Sequence, residues 1–488
     1  MEFEKRDWPN LQNKVLSAIL IDDLKEAKRL LQGNDEALSG ISELLEKTTG
    51  KPTPLKNLTA QPPREIHTAV SYTCGIGCKM CGSGFHDKTS LFEDYKQLSP
   101  QQFDEVMPWI DAAELVVYVG QGETLDNPHI YDFVKKSAGK HSNLTTSGVP
   151  LTREKMKRLI QASLKDINFS FDGLTLAGHG SGNIKYSQTI WKQIDMVQSV
   201  KKELGSEFPQ VMITMVLNKE NVDQMEEMID SAKERGVFLL QLDVMVPHNP
   251  ELYEQSIFTD FKYYQKKINE EIKKGNEKGL WVRIGDDTEI KDSQPCHFID
   301  KMLIFNLDRY LPSVCCGPIT MPLKIQGYST DTYWNSFPFR YFRFMHGTGK
   351  SETLPVACDT CWAMNPLKFA DQMQPKDNDF KARPLYLEAS ELKNQNKWDE
   401  AEKNYKTIIQ NSDNPVWRGK AYFHLAEREI LEKNYPKAYT LFQETVKNYF
   451  GHQLAFTYLY LLMMLLEKKQ EDSFSLERMQ CSSAVSGS

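Results

Sequence analysis

What this chain lacks narrows its class first. No apolar run reaches the roughly 18 residues that a membrane-spanning helix needs. The longest, residues 456–466, lies inside a helical repeat pattern. The opening residues Met1-Glu2-Phe3-Glu4-Lys5-Arg6-Asp7 are charged, with no apolar stretch behind them, so they do not read as a secretory leader. Both absences predict a cytoplasmic protein without a membrane partner. A basic excess is missing too: the formal net charge is -7, which argues against a nucleic-acid partner. Cysteine is sparse and odd in number, nine in 488 residues. The positions are grouped, at 74, 78, 81, 296, 315, 316, 358, 361 and 481. In a large cytoplasmic chain, grouped cysteines point to metal ligands rather than disulfides.

What is present is a change of pattern along the chain. Leu16, Ile19, Leu20, Leu24, Ala27, Leu30 and Leu31 fall at helical spacing, so residues 1 to about 50 read as helices. Pro52, Pro54, Pro62 and Pro63 mark a linker up to residue 65. From Ile66, strand-like runs alternate with amphipathic helical stretches. The strands are expected at 67–71, 115–119, 143–146, 166–171, 210–216, 238–244 and 281–284. Helices are expected between them, for example over 156–162 and 221–235. Such alternation implies a parallel sheet with crossover helices, of about six units, and functional residues at the carboxyl ends of the strands. Residues 286–372 lose the alternation and are rich in Cys, Pro, Gly and aromatics, as in a small metal-stapled module. After residue 384, Ala389, Trp398, Ala401 and Tyr405 recur 37 positions later as Ala426, Tyr435, Ala438 and Phe442. This repeat, over 384–470, resembles tetratricopeptide (TPR) repeats, with a longer turn around residues 411–415. Residues 471–488 read as a flexible tail.

The first cysteine group reads Cys74-Gly75-Ile76-Gly77-Cys78-Lys79-Met80-Cys81, directly after the first strand of the sheet. Three thiolates on one loop suit iron–sulfur or zinc. The missing fourth ligand is informative, because structural sites are closed and catalytic ones keep an open position. The alternative is a structural zinc site with His86 as fourth ligand.

The spacing C-x3-C-x2-C, its place after strand one and the elements that follow resemble the radical S-adenosylmethionine (SAM) superfamily over residues 66–372. The resemblance implies an α/β fold, a partial (β/α)6 TIM-like barrel over 66–285. It also implies a [4Fe–4S] cluster on Cys74, Cys78 and Cys81. The reduced cluster would cleave SAM to a 5′-deoxyadenosyl radical that abstracts hydrogen from substrate. An electron donor such as flavodoxin or ferredoxin would then be a partner. Met80 departs from the aromatic residue usual at its position.

Five further segments carry the resemblance. Gly120-Gln121-Gly122-Glu123-Thr124 is similar to the G-G-E-P stretch that binds the SAM amino group; Gly122 and Glu123 match, Gln121 and Thr124 do not. Thr146-Ser147-Gly148 corresponds to the third strand's end, with Ser147 placed to contact SAM or substrate. Ser170-Phe171-Asp172-Gly173 is similar to S-x-D-G, with Ser170 at the ribose and Asp172 at the ribose or substrate. The arginine usual after it is absent, leaving His179 or Lys185 to stand in. Asn218 ends strand five near the ribose, and Val246 lines the adenine. Any of these polar residues can instead be a helix cap, Asn221 above all.

Cys296, Cys315, Cys358 and Cys361 can close a second cluster, and their layout resembles the shortened SPASM, or twitch, extension of the superfamily. That implies one auxiliary [4Fe–4S] cluster, with Cys315 rather than Cys316 as ligand. In an epimerase Cys316 would be the hydrogen donor and the candidate catalytic residue. A structural zinc ribbon is the alternative. The function read from all this is a radical SAM oxidoreductase that modifies a peptide or protein, with the TPR-like repeats as a docking face. The rivals are a sugar- or aminocyclitol-type small-molecule dehydrogenase or epimerase, and a TPR scaffold with an inactive barrel.

Overall fold

The fold is that of a computed structural model. It describes residues 8–32, 38–76, 78, 81, 97–120, 122–174, 185–247, 250–306, 312–315, 319–325, 327–348, 350–373 and 380–466. The chain divides into two units, one of residues 62–309 and 360–375, the other of 1–61, 310–359 and 376–488.

The first unit is built on eight strands: β1 Glu65–Ala69, β2 Leu115–Val119, β3 His141–Thr146, β4 Asp166–Ser170, β5 Gln210–Leu217, β6 Leu239–Val244, β7 Trp281–Ile284 and β8 Met302–Phe305. Their order is β7-β6-β5-β4-β3-β2-β1-β8, and every neighbouring pair is parallel. Helices lie between successive strands from β1 to β7, among them Pro100–Ala112, Arg153–Gln161, Lys185–Leu204, Met225–Glu234 and Phe261–Glu277. Their starts are written locally. Pro100 follows a Ser99 capping box closed by Gln102, and Thr152 caps Arg153–Gln161 through Lys155 N–H.

Alternation along the strands sorts the residues onto two faces. Val116, Tyr118, Leu144, Ile167, Phe169, Ile213, Leu240 and Val282 are fully buried on one face. The opposite face is polar: Asn168 Nδ2 bonds Thr214 Oγ1 at 2.8 Å and Thr145 Oγ1 at 3.3 Å, and Arg283 Nε donates to Gln241 at 2.6 Å. A parallel sheet with polar side chains on one face is an open half-barrel with an interior fit to receive a polar ligand.

The expected strands appear within a few residues. The sheet has eight strands, one more than the seven expected, because β8 joins the free edge of β1, Glu65 opposite Met302 and Thr68 opposite Phe305. Four apolar residues with no helix pattern beside them give no local signal; the open edge of β1 is what makes them a strand.

The second unit is helical. Trp8–Leu20, Leu24–Leu31 and Ser39–Lys47 belong to it, with Phe337–Gly347 and five C-terminal helices from Ala382 to Leu465. The repeat is visible in its packing. Ala389, Ala401 and Tyr405, and their counterparts Ala426, Ala438 and Phe442, are all fully buried. Alanine at these positions lets paired helices approach closely. The last helix, Gln453–Leu465, is apolar all round, because Trp8–Leu20 and Ser39–Lys47 pack against it. Arg340, only 2% exposed, forms a two-pronged pair with Asp22 at 2.7 and 2.8 Å. Among the described residues no helix is long and apolar enough to cross a membrane.

Candidate active site at the carboxyl edge of the sheet

The chain leaves β1 into Ser71–Thr73 and then the cysteine loop. Thr73 N–H donates to Ser71 Oγ at 3.1 Å, and Gln97 Nε2 to Thr73 Oγ1 at 3.0 Å, fixing the approach. Cys81 N–H donates to Cys78 O at 3.1 Å, a turn that brings the last two cysteines back on each other. Cys74 and Cys78 are half-buried and Cys81 is exposed. Burial pushes the Cys78 thiol up to about 12, and the nearby Asp172, Cys81 and Cys74 push the same way. Among the described residues no three His, Cys, Asp or Glu side chains are gathered so as to hold a metal ion. Gly77, Met80, His86 of the zinc alternative, Gln121 and His179 lie outside the described residues.

The β2 end is laced onto this loop. Glu123 N–H donates to Thr73 O at 2.7 Å. A Cβ on Gly122 would lie 2.6 Å from Thr73 O and 2.7 Å from Ser71 O, so only glycine lets the two backbones approach this closely. The Glu123 carboxylate, 4% exposed, reaches across to β3. Its Oε1 accepts from Leu125 N–H at 3.0 Å and Thr146 Oγ1 at 2.7 Å; its Oε2 accepts from Ser147 N–H at 2.8 Å and Ser147 Oγ at 2.5 Å. Four donors fill the acceptor positions of one carboxylate. Gly148 follows at φ +78°, where an added Cβ would meet the Phe169 ring at 2.9 Å.

Beyond β4, Asp172 is buried and accepts from Val216 N–H at 2.9 Å. Burial pushes its carboxyl up to about 7; the Val216 bond opposes this and Asp243 adds to it. Burial likewise raises Asp243, against the attraction of Arg283. Asn221 does not cap a helix. Its Nδ2 donates to Asp172 O at 2.6 Å and Val216 O at 2.8 Å, and its Oδ1 accepts from Asn218 N–H at 2.8 Å. Asn221 is thus a bracket between the β4 and β5 ends, a role that needs the register of two strands and leaves no mark in the sequence. Asn218, 1% exposed, uses its Oδ1 on Glu220 and Asn221 N–H, which fixes the amide's orientation. Its Nδ2 is then a buried donor without a hydrogen-bond partner among the described residues. Val246, after β6, is half-buried, and Met245 N–H ties that exit to Leu217 O at 3.0 Å. Ser170, the last residue of β4, is half-buried. Lys185 opens the helix Lys185–Leu204.

The structure therefore gathers Glu123 with Ser147, and Asp172 with Asn221, Asn218 and Cys78. It also brings in Asp243, which nothing in its sequence neighbourhood singles out. The second cysteine set divides between the units: Cys296 and Cys361 in the first, Cys315 and Cys358 in the second. Around Cys296 and Cys361 the backbone is laced together. Gln294 N–H donates to Met364 O at 3.0 Å, and Phe298 N–H to Cys296 Sγ at 3.4 Å. Cys316 and Cys481 lie outside the described residues.

Residues 68–232 match the model of the Radical SAM superfamily. The chain is 23% identical over 339 residues to the tungsten-containing aldehyde ferredoxin oxidoreductase cofactor-modifying protein of Pyrococcus furiosus, covering 62% of this chain and 92% of that one. It is 27% identical over 181 residues to the PqqA peptide cyclase of Gluconobacter oxydans, covering 36% of this chain and 47% of the relative, so it spans about half of that relative's length. Streptococcus suis SuiB bound to S-adenosylmethionine is a distant structural likeness, with TM-score 0.44, 12% identity, and coverage of 72% and 78%. The span that resembles the radical SAM superfamily thus runs from β1 into the helix after β5.

Proposed function

We propose that this chain is a radical SAM oxidoreductase acting on a peptide or protein. Cys74, Cys78 and Cys81 would hold a [4Fe–4S] cluster, leaving one iron for the amino and carboxylate groups of SAM. When bound, that cluster supplies the electron for reductive cleavage of SAM and so for hydrogen abstraction from substrate. The chemistry of the donor set suits such a group, three thiols on one loop, although the side chains are not drawn together around a common centre; at the same edge of the sheet Asn218 Nδ2 is a buried amide donor with no partner among the described residues.

Gly122 and Glu123 hold the β2 end against the thiol loop; the Glu123 carboxylate would receive the SAM ammonium there by giving up one of its hydroxyl donors, Thr146 or Ser147. Ser147, positioned by Glu123, borders the same edge. Asn218 gives its amide hydrogen to a ribose oxygen, with Ser170 and Asp172 beside it, and Val246 covers the adenine. Asp172 holds a proton near neutral pH, so it can donate to a ligand oxygen as well as accept. Cys296, Cys315, Cys358 and Cys361 would hold an auxiliary [4Fe–4S] cluster that would take the electron the substrate radical gives up as it becomes the oxidised product. A flavodoxin or ferredoxin supplies the first electron, and the TPR-like repeats dock a partner.

The observation that carries this reading is the 2.7 Å bond from Glu123 N–H to Thr73 O, which makes the thiol loop and the β2 end one surface. The peptide substrate rests on the Gluconobacter relative, whose name is a peptide cyclase. A second reading, a small-molecule cofactor as substrate, is favoured by the Pyrococcus relative, matched over 92% of its length and named a cofactor-modifying protein.

Anaerobic reconstitution tests the proposal. About eight irons should bind, the content of two such clusters. Cys74, Cys78 and Cys81 changed together to Ala should leave about four and abolish 5′-deoxyadenosine formation. Zinc at both sites, or continued SAM cleavage in that variant, would overturn it.

A further inference from the structure

The cysteine loop leaves the sheet at Val70 and returns to it at Leu98. Leu98 N–H donates to Val70 O at 3.0 Å, and Ser71 bridges Gln97 in antiparallel fashion, so the loop has a closed neck. A residue from a different segment grips both sides of that neck. Asn127 Nδ2 donates to Val70 O at 2.7 Å and to Leu98 O at 3.0 Å, while its Oδ1 accepts from His129 N–H at 2.8 Å. The side chain is fully buried. Both amide hydrogens and the oxygen are in use, which fixes the direction of the amide.

Asn127 closes the turn that Glu123 opens. The short helical turn Thr124–Asp126 lies between them, and Asn127 N–H donates to Thr124 O at 3.3 Å. At the other end of the turn, Glu123 N–H meets Thr73 O at 2.7 Å, one residue before the first thiol. Residues 123–127 therefore hold the loop at two places, its approach to Cys74 and its neck. A loop tied only at its own two ends can swing about the line joining them. A further tie from the β2 side, off that line, removes the swing.

We propose that Asn127 is a positioning residue for the cluster: it fixes where the three thiols stand relative to Glu123. The proposal rests on the reading of Cys74, Cys78 and Cys81 as cluster ligands. Such a support acts through the geometry of the site and touches no ligand.

The test compares Asn127→Asp with Tyr118→Phe in the full chain. Asn127→Asp keeps the side-chain volume and the bond from His129 N–H, but turns an acceptor on Val70 O and Leu98 O. Tyr118→Phe removes an equally buried group, whose hydroxyl donates to Phe133 O at 3.0 Å and lies 2.6 Å from Ser137 Oγ, away from the neck. After anaerobic reconstitution and reduction, SAM is titrated and followed by the electron paramagnetic resonance spectrum of the cluster. In Asn127→Asp the SAM concentration that half-completes the spectral change should rise about tenfold. In metal-free protein its Leu98 N–H should exchange about tenfold faster, with β3 unchanged. Tyr118→Phe should lower the melting temperature and leave the SAM titration and the Leu98 exchange as they were. An equal SAM response in Asn127→Asp, or an equal loss in Tyr118→Phe, would overturn the proposal alone. An unaltered protein without a SAM-responsive signal would overturn the cluster reading and the proposal with it. If Asn127→Asp does not fold, exchange in the unaltered metal-free protein decides: Leu98 N–H should be as protected as the β3 amides, and exchange at the rate of an open loop overturns the proposal.

Discussion

Replacing Glu123 tests whether the β2 and β3 ends are fastened by one carboxylate. Its two oxygens accept four bonds, from Leu125 N–H, Thr146 Oγ1, Ser147 N–H and Ser147 Oγ. In Glu123→Ala the two hydroxyls can turn elsewhere, but the two backbone N–H groups cannot. Each stranded, buried donor costs about 1–3 kcal/mol. The void left by the side chain adds to this, and removing a buried charge offsets part of it. The net cost should be about 3–5 kcal/mol. Glu123→Gln is milder. Its amide oxygen can still serve Leu125 and Thr146, and its NH2 can donate to Ser147 Oγ. It then faces Ser147 N–H donor to donor, so about 1–3 kcal/mol is lost.

The chain has two units, so a single global unfolding energy is a poor measure. Hydrogen exchange resolved to residues 122–149 is the right assay, because a local loss of about 1.4 kcal/mol reads as tenfold faster exchange through opening. Glu123→Ala should speed exchange at Leu125 and Ser147 more than Glu123→Gln. Ser147→Ala combined with Glu123→Gln should cost about 1 kcal/mol less than the two separately. Equal protection in all three proteins, or strict additivity, would refute the latch.

Gly122→Ala should lower the iron bound on reconstitution while Gly75→Ala does not, because an added Cβ meets backbone oxygens at 2.6 and 2.7 Å in the first case and nothing within 4 Å in the second; iron content with a melting curve checks this. Asp172, held at about 7 against roughly 4 for an exposed aspartate, keeps a proton that the unfolded chain gives up. Its contribution is therefore present below about pH 4 and is lost as pH rises to about 7. Asp172→Asn should flatten that fall in metal-free protein, and an unchanged pH profile of urea midpoints would count against it. Arg340→Met should destabilise the helical unit by about 2 kcal/mol, less than for a fully buried pair because Asp22 is 30% exposed and can rehydrate; a melt unchanged by the substitution would show the pair to be neutral.

Local pattern decided a good deal. Short strand-like runs between helical stretches place β2 and β7 to the residue and the other strands of β1–β7 within a few positions, because each buries one apolar face against the helix that follows. Alanine at fixed offsets marks the helix pairs after residue 384, since close packing admits little else. Cys74, Cys78 and Cys81 stand out because three thiols on one short loop have few other uses. Tertiary structure decided the remainder. β8 exists because β1 had a free edge, and the apolar last helix is covered by helices more than 400 residues earlier, a pairing that no local period encodes. The four donors on Glu123, the bracket made by Asn221 and the raised carboxyl of Asp172 depend on which strand ends meet. Residues far apart in the chain acquire those partners only once the sheet is in register, and burial there, rather than residue type, sets their charge.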